Sequence, residues 1–368
     1  MKILITGGGT AGHINPALAI AGIVKKYKPD TEFLFAGTPF GMESKLVPEA
    51  GYNFAPIKVR GFQRSLSPKN IVRNAKAAAY LTTAGQVAKK IIKDFNPDIA
   101  IGTGGYVSGP IIRTAAKMHI PTAIHEANAF PGLTTKLLSK YVDIVMLTVE
   151  DAKTYLPDNV TFTVTGLPVR ENITRVSRDD ARKKLHLADN MTILSFGGSL
   201  GANCINDLAE DLMEHFENDN INFIHGYGQN GRGQFKDMKD EKVIISEYIH
   251  NMNLCLAAAD LVICRAGAST LAELMAVGRA SILIPSPIVA GNHQFHNACV
   301  LGNAGGAIVI EQKDVRFQKI ADLIKKMYQN RDMLTSMAQK TASLNIADVD
   351  KRVWKAISGV FGDRTAIA

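Results

Sequence analysis

Two glycine clusters hold the residue types best suited to gripping an anion. The first follows Ile3-Leu4-Ile5 and reads Thr6-Gly7-Gly8-Gly9-Thr10-Ala11-Gly12-His13. The second follows Ile193-Leu194-Ser195-Phe196 and reads Gly197-Gly198-Ser199-Leu200-Gly201-Ala202. Each reads as an apolar strand, then glycines, then a helix. That order aims backbone N–H groups and a positive helix end at an anion above the strand. A tight turn without a ligand is the alternative for either loop alone. Two such loops predict two doubly wound domains facing a shared cleft, with one phosphate-bearing group for each. Neither loop combines GxGxxG spacing with an acid at the end of the next strand, and neither ends in Gly-Lys-Ser/Thr, which disfavours a dinucleotide oxidoreductase and a P-loop nucleotidase.

A third small-residue turn lies in Cys264-Arg265-Ala266-Gly267-Ala268-Ser269-Thr270-Leu271-Ala272-Glu273. Ser269 or Thr270 is expected to cap the helix that begins here, with Glu273 in its first turn. Glu273 then either closes a capping box or accepts hydrogen bonds from the two hydroxyls of a ribose. His125-Glu126-Ala127-Asn128 and Gly291-Asn292-His293-Gln294-Phe295-His296-Asn297-Ala298 are rich in amides and imidazoles. Such groups suit sugar hydroxyls. No Asp-x-Asp pair stands out and the histidines lack zinc spacing, so neither a catalytic metal nor a cofactor is implied.

The elements that must position these residues are short buried strands alternating with helices, the pattern of an α/β parallel sheet covered on both faces. In the first half, strands are expected at 2–5, 32–36, 54–59, 98–102, 122–125 and 144–147. Helices are expected at about 15–27, with Pro16 in the first turn, and at 68–94. A linker is expected around Thr163–Pro168. A second set of strands follows at 192–196, 222–225, 243–246, 261–264, 281–284 and 307–310, with helices near 203–217, 269–277 and 292–303. These divide the chain into residues 1–164 and 165–345, with a last helix at about 346–361 crossing back onto the first domain. A length of 368 residues suits two domains. Cys204, Cys255, Cys264 and Cys299 form no CxxC pair, which points to reduced thiols in the cytosol. Met1-Lys2 and three apolar residues are too short for a signal peptide, and no run is long enough to span a bilayer.

The net charge is +8, and its placement is one-sided. From Tyr52 to Lys93 there is no Asp or Glu, while Lys58, Arg60, Arg64, Lys69, Arg73, Lys76, Lys89, Lys90 and Lys93 all fall there. That predicts an anionic partner.

The chain resembles the MurG family. The resemblance rests on the first glycine loop, Gly104-Gly105-Tyr106-Val107-Ser108-Gly109-Pro110, His125–Asn128, Gly166-Leu167-Pro168-Val169-Arg170, the second glycine loop and Arg265–Ala268, in that order. It implies a GT-B fold: two Rossmann-like doubly wound parallel-sheet domains facing a deep cleft. It also implies inverting transfer of N-acetylglucosamine from UDP-N-acetylglucosamine to undecaprenyl-diphosphate-linked muramyl-pentapeptide. By position, Ser199 and Ala268, Ser269, Thr270, Leu271 and Ala272 would hold the diphosphate, and Glu273 the ribose. Ile249 and Arg170 would lie beside the uracil, and Asn128 and Gln294 would bind the donor sugar. Thr10, Ala11 and Gly12 would close the donor site. Gly104, Gly105 and Tyr106 would meet the acceptor. Ala11 stands where the family often has glycine, Ala268-Ser269-Thr270 where Ala-Leu-Thr is more usual, and Gly291-Asn292-His293 where a more charged stretch is common.

On that basis His13 is the candidate general base, kept neutral by the helix N-terminus. The acid-free segment, with the loop Gly61-Phe62-Gln63-Arg64-Ser65-Leu66, becomes a surface for anionic inner-leaflet lipid at the cytoplasmic face of the membrane. A related glycolipid glycosyltransferase is the main alternative. A UDP-N-acetylglucosamine 2-epimerase would want acids and histidines converging on the sugar. A nucleic-acid partner is disfavoured because aromatic stacking platforms are missing.

Overall fold

The computed structural model describes residues 1–61, 68–169, 172–231, 233–235 and 241–365. It divides into two compact units, Met1–Pro168 with Ala347–Ala368, and Val169–Ile346. The first is built on strands β1 (Lys2–Thr6), β2 (Glu32–Gly37), β3 (Asn53–Pro56), β4 (Ile99–Gly102), β5 (Thr122–Glu126), β6 (Ile144–Leu147) and β7 (Phe162–Val164). All pair in parallel, in the order β3-β2-β1-β4-β5-β6-β7. The second unit carries β8 (Met191–Phe196), β9 (Ile221–Gly226), β10 (Val243–Ser246), β11 (Leu261–Cys264), β12 (Ala280–Leu283) and β13 (Ala307–Val309). These are also parallel, in the order β10-β9-β8-β11-β12-β13.

Strand alternation sorts each core into two faces. In β1 and β4, Ile3, Ile5, Ile99 and Ile101 point to the face covered by helices Ala11–Tyr27 and Val349–Thr365. Leu4 and Ala100 point to the opposite face, under helices Pro68–Phe95 and Ser108–Lys117. The C-terminal helix buries Val353 and Ile357, and Trp354 stacks on Tyr27 with ring centroids 5.3 Å apart. In the second unit Ile193, Phe223, Ile263 and Ile282 share a cluster with helices Asn203–His215 and Phe317–Gln329.

Several elements differ from the sequence reading, among them the strand expected at 54–59, which runs Asn53–Pro56. The first helix begins at Ala11, not near Asn15, because Thr10 adopts the extended cap conformation and accepts from His13 N and Ile14 N through its carbonyl. Pro16 therefore sits inside the helix. The hydrogen bond it cannot make is to the carbonyl of Gly12, an exposed residue near the helix start. The expected linker overlaps β7, whose three residues are too few to show alternation. The helix expected from Ser269 starts at Ala268 with Gly267 as its cap and no side-chain capping bond. The capping-box reading of Glu273 is therefore wrong, since that residue lies beyond the first turn.

One buried ion pair ties the second unit together. Arg182, 5% exposed, donates to Asp260 Oδ2 at 2.9 Å, and the same oxygen accepts from Thr192 N at 2.8 Å. Removing the carboxylate would leave the buried guanidinium with Asp189, 2.6 Å away and itself solvent-exposed, as its acid partner, and Thr192 N without its acceptor. Asp260→Ala is expected to destabilise this unit by about 3–5 kcal/mol, read as a lowered urea midpoint; a shift below about 1 kcal/mol would contradict it.

Candidate functional site

Each sheet reverses its strand order once, between β1 and β4 in the first unit and between β8 and β11 in the second. At such a point the outgoing connections diverge and leave a crevice beyond the strand ends, where ligands of open α/β sheets bind. The two glycine loops follow β1 and β8. The loop holding Gly104 and Gly105 follows β4, and the turn holding Arg265 and Gly267 follows β11.

In the first unit the β1 and β4 loops are stitched together. Thr103 N donates to Thr6 O at 2.9 Å and Thr103 Oγ1 to His13 O at 2.7 Å. Ser108 Oγ is placed at 3.0 Å from Thr6 O and 2.7 Å from Gly104 O. His13 Nδ1 lies 3.1 Å from Thr103 O. A carbonyl oxygen only accepts, so this contact puts the proton on Nδ1 and leaves Nε2 as the basic nitrogen of the neutral ring. Gly104 makes the approach feasible: a Cβ there would lie 2.6 Å from His13 Nδ1, and its φ of +103° is open to glycine alone. Thr10 and Gly12 are exposed at the helix start, beside the half-buried Ala11. The Tyr106 ring lies against Gly9 and Gly61, and its phenol is pushed up by burial and the nearby Glu43 charge, with Arg60 opposing.

The His125–Asn128 motif splits into different roles. His125 is fully buried, and its Nε2 meets Gly166 O at 3.0 Å. Burial lowers its proton affinity. It is packed inside the fold rather than offered to a sugar. Glu126, 4% exposed, accepts from Asn128 N, Asn128 Nδ2, Gly132 N and Thr135 Oγ1 at 2.6–3.1 Å. The Asn128 carboxamide is thereby oriented from beneath.

In the second unit Ser199 is exposed on the β8 loop, and its carbonyl accepts from Gln229 N at 3.3 Å. Ile249 packs against Gly226 at the end of β9. Leu271 and Ala272 are buried, and Leu271 N donates to Gly267 O at 3.0 Å. The amides not used within the Ala268–Val277 helix are thus those of Ala268, Ser269 and Thr270. Ser269, Thr270 and Glu273 share its less buried side. Cys264, at the end of β11, has its thiol pushed up by burial and by the Glu273 charge. Arg265 spreads its guanidinium over Ile284 O, Pro285 O and Gln312 Oε1, at 2.6–3.2 Å, which holds this turn to the end of β12. Gln294 accepts from Ser286 N through Oε1 at 2.9 Å, which fixes the orientation of its carboxamide. Asn297, buried, donates to Ala266 O at 3.2 Å. Arg170 lies outside the described residues. No cluster of three or more potential metal ligands occurs among the described residues.

The structure of MurG from Acinetobacter baumannii is 28% identical, with a TM-score of 0.77, over 98% of this chain and 99% of that one. Residues 3–147 match the glycosyltransferase family 28 N-terminal domain and residues 192–353 the glycosyltransferase family 28 C-terminal domain. From Acetivibrio thermocellus, the UDP-N-acetylglucosamine--N-acetylmuramyl-(pentapeptide) pyrophosphoryl-undecaprenol N-acetylglucosamine transferase is 43% identical over 374 residues, all of both chains. This chain belongs to the MurG family. Like the family, it is a glycosyltransferase built from two Rossmann-like parallel-sheet units, the GT-B class. A putative UDP-N-acetylglucosamine 2-epimerase from Listeria monocytogenes shares the fold, with a TM-score of 0.67 and 15% identity, over 99% of this chain and 97% of its own. Fold alone therefore does not separate transferase from epimerase. Full-length identity to a MurG relative does.

Beneath the second loop of this MurG-family chain, Ser195 Oγ lies 2.8 Å from His225 Nδ1. His225 is fully buried, and burial lowers its pKa to about 4. The unfolded ring titrates near ~6.5. Between these values the unfolded chain binds the extra proton, so stability falls as pH drops from ~6.5 to about 4 and this contribution is level below. The loss is expected to reach roughly 3 kcal/mol, measured as the urea midpoint against pH. His225→Gln should flatten that part of the curve; an unchanged pH profile in the variant would refute the assignment.

Proposed function

We propose that this protein transfers N-acetylglucosamine from UDP-N-acetylglucosamine to the 4-hydroxyl of undecaprenyl-diphosphate-linked N-acetylmuramyl-pentapeptide, with inversion, converting lipid I to lipid II in peptidoglycan synthesis. The observation that carries this reading is the full-length identity to a transferase of that name. The chemistry of the loops agrees with it. In the second unit the N–H groups of Ala268, Ser269 and Thr270 and the loop at Ser199 receive the diphosphate. Glu273 takes the ribose hydroxyls, Arg170 and Ile249 flank the uracil, and Gln294 meets the sugar.

In the first unit Asn128 and Thr10–Gly12 contribute to the donor, while Gly104, Gly105 and Tyr106 serve the acceptor. His13 Nε2 accepts the proton of the attacking 4-hydroxyl as the new bond to the anomeric carbon forms and the bond to the UDP oxygen breaks. Charge on the leaving diphosphate is met by preorganised amides and helix ends, without a metal ion.

General-base catalysis contributes about 10²–10⁴-fold. His13→Ala is expected to lower kcat by at least about tenfold, with KM for UDP-N-acetylglucosamine nearly unchanged, in an assay on a short-chain lipid I analogue. Full activity in excess chelator is expected in the same assay. Retained turnover in the variant would remove His13 as the base, and a strict magnesium requirement would remove the metal-free account.

The acceptor is lipid-linked, so we place the protein peripherally on the anionic cytoplasmic leaflet. No helix among the described residues is long and apolar enough to cross a membrane. The sequence from Tyr52 to Lys93 is basic and free of acids, and the first unit exposes Leu133 (74%), Leu137 (60%) and Tyr141 (50%) near Lys136 and Lys140. Basic residues near an anionic surface add about 1 kcal/mol each. Sedimentation with phosphatidylglycerol vesicles is expected to be strong at low salt, lost at high salt, and weakened in a Leu133→Glu/Leu137→Glu variant. Binding indifferent to anionic lipid would overturn the placement.

A further inference from the structure

Glu43 is 1% exposed and belongs to none of the motifs above. It opens the Glu43–Glu49 helix, six residues past the end of β2, on a turn in which Gly41 N donates to Thr38 O at 3.4 Å. Its side chain turns inward, under the first glycine loop. Gly9 N donates to Oε2 at 3.1 Å and Thr38 N donates to Oε1 at 3.1 Å. The carboxylate fills the space that a side chain at Gly8 or Gly41 would occupy. It therefore joins the β1 loop to the β2 loop through two charge-assisted bonds, each stronger than a neutral one, the bond from Thr38 N buried and the bond from Gly9 N half-buried.

We propose that Glu43 is the positioning residue of the first glycine loop. Its carboxylate, not a substrate anion, satisfies the Gly9 N–H and sets the path of the chain into the helix that carries His13. The loop is then held in its working shape before any substrate arrives, and Tyr106, whose ring lies against Gly9, is seated by the same contact. An internal carboxylate at this place has a second effect. It occupies one of the amides a phosphate would seek and opposes negative charge directly above, so Gly9 faces a neutral, hydroxyl-bearing part of the substrate. The proposal rests on the transferase reading for its catalytic consequence only; the hydrogen bonds stand without it.

The decisive variant is Glu43→Gln, which keeps the shape but offers one acceptor and one donor to two N–H donors. In the folded variant, kcat is expected to fall about tenfold to a hundredfold, with KM for UDP-N-acetylglucosamine within about twofold. Glu43→Asp, too short to span both amides, should not restore the rate. Amide hydrogen exchange gives a readout independent of turnover. In wild type the Gly9 and Thr38 amides are expected to be protected without ligand. In Glu43→Gln they should exchange faster, while peptides of the second unit stay unchanged. Gly8→Ala, whose methyl displaces the carboxylate, should produce the same rate loss, and the Gly8→Ala/Glu43→Gln double variant should be no worse than the worse single one. A folded Glu43→Gln with wild-type kcat, fully additive losses, or an unprotected Gly9 amide in wild type would overturn the proposal. Should Glu43→Gln fail to fold, wild-type exchange and Gly8→Ala decide it. Failure of the transferase reading is distinct: it would show as wild-type inactivity with the Gly9 protection intact.

Discussion

A parallel sheet whose strand order reverses has one place where its connecting chains part, and both sheets of this protein use that place. In the first sheet the loops after β1 and β4 leave toward opposite faces because the helices they feed pack on opposite sides. Backbone N–H groups at the strand and helix ends there lack partners within the secondary structure. Everything chemical follows from that deficit. The same groups that a helix start cannot satisfy for itself are those able to receive a diphosphate or orient a sugar.

Such loops have little side-chain mass of their own and need support from below. The fold supplies it with a buried carboxylate and a half-buried guanidinium under the loops. Glu126 gathers four donors from the 128–135 segment, and the Arg265 guanidinium spans two carbonyls and the Gln312 amide. A charged group withdrawn from water is costly unless hydrogen-bonded, and these have several partners each. The consequence for function is stiffness: Asn128 and the turn at Gly267 are held to packed strands. Loops on rigid frames keep donors aimed, which is the form of electrostatic help that requires no rearrangement during reaction.

Much of this arrangement was legible from residue order, because buried parallel strands are nearly continuous apolar runs and glycines punctuate them. Val243–Ser246, Leu261–Cys264 and Ile144–Leu147 coincide with strands of the structure. What sequence could not show was direction. His125 and Asn128 sit three residues apart in one polar motif, yet one is sealed in the core against Gly166 and the other lies at the rim. Likewise Ser269 is a good capping residue by type, but Gly267 reaches the extended conformation first and takes the cap. Glu43 was invisible for a related reason. An acid shortly after β2 commonly reaches outward to a ribose in dinucleotide folds; here glycines at 8 and 41 leave room for it to turn inward. A distant contact decided the role, and no local pattern records it.

The first unit is discontinuous in sequence, closed by a helix from the far end of the chain. On the ribosome, the face bearing Ile14, Ile20 and Val24 is made early but stays without Val353, Ala356 and Ile357 until the helix Val349–Thr365 emerges. The intervening stretch, 169–346, is contiguous and has its own core, so it can complete its burial first. Synthesis order and completion order are therefore inverted: the half made first is the half finished last.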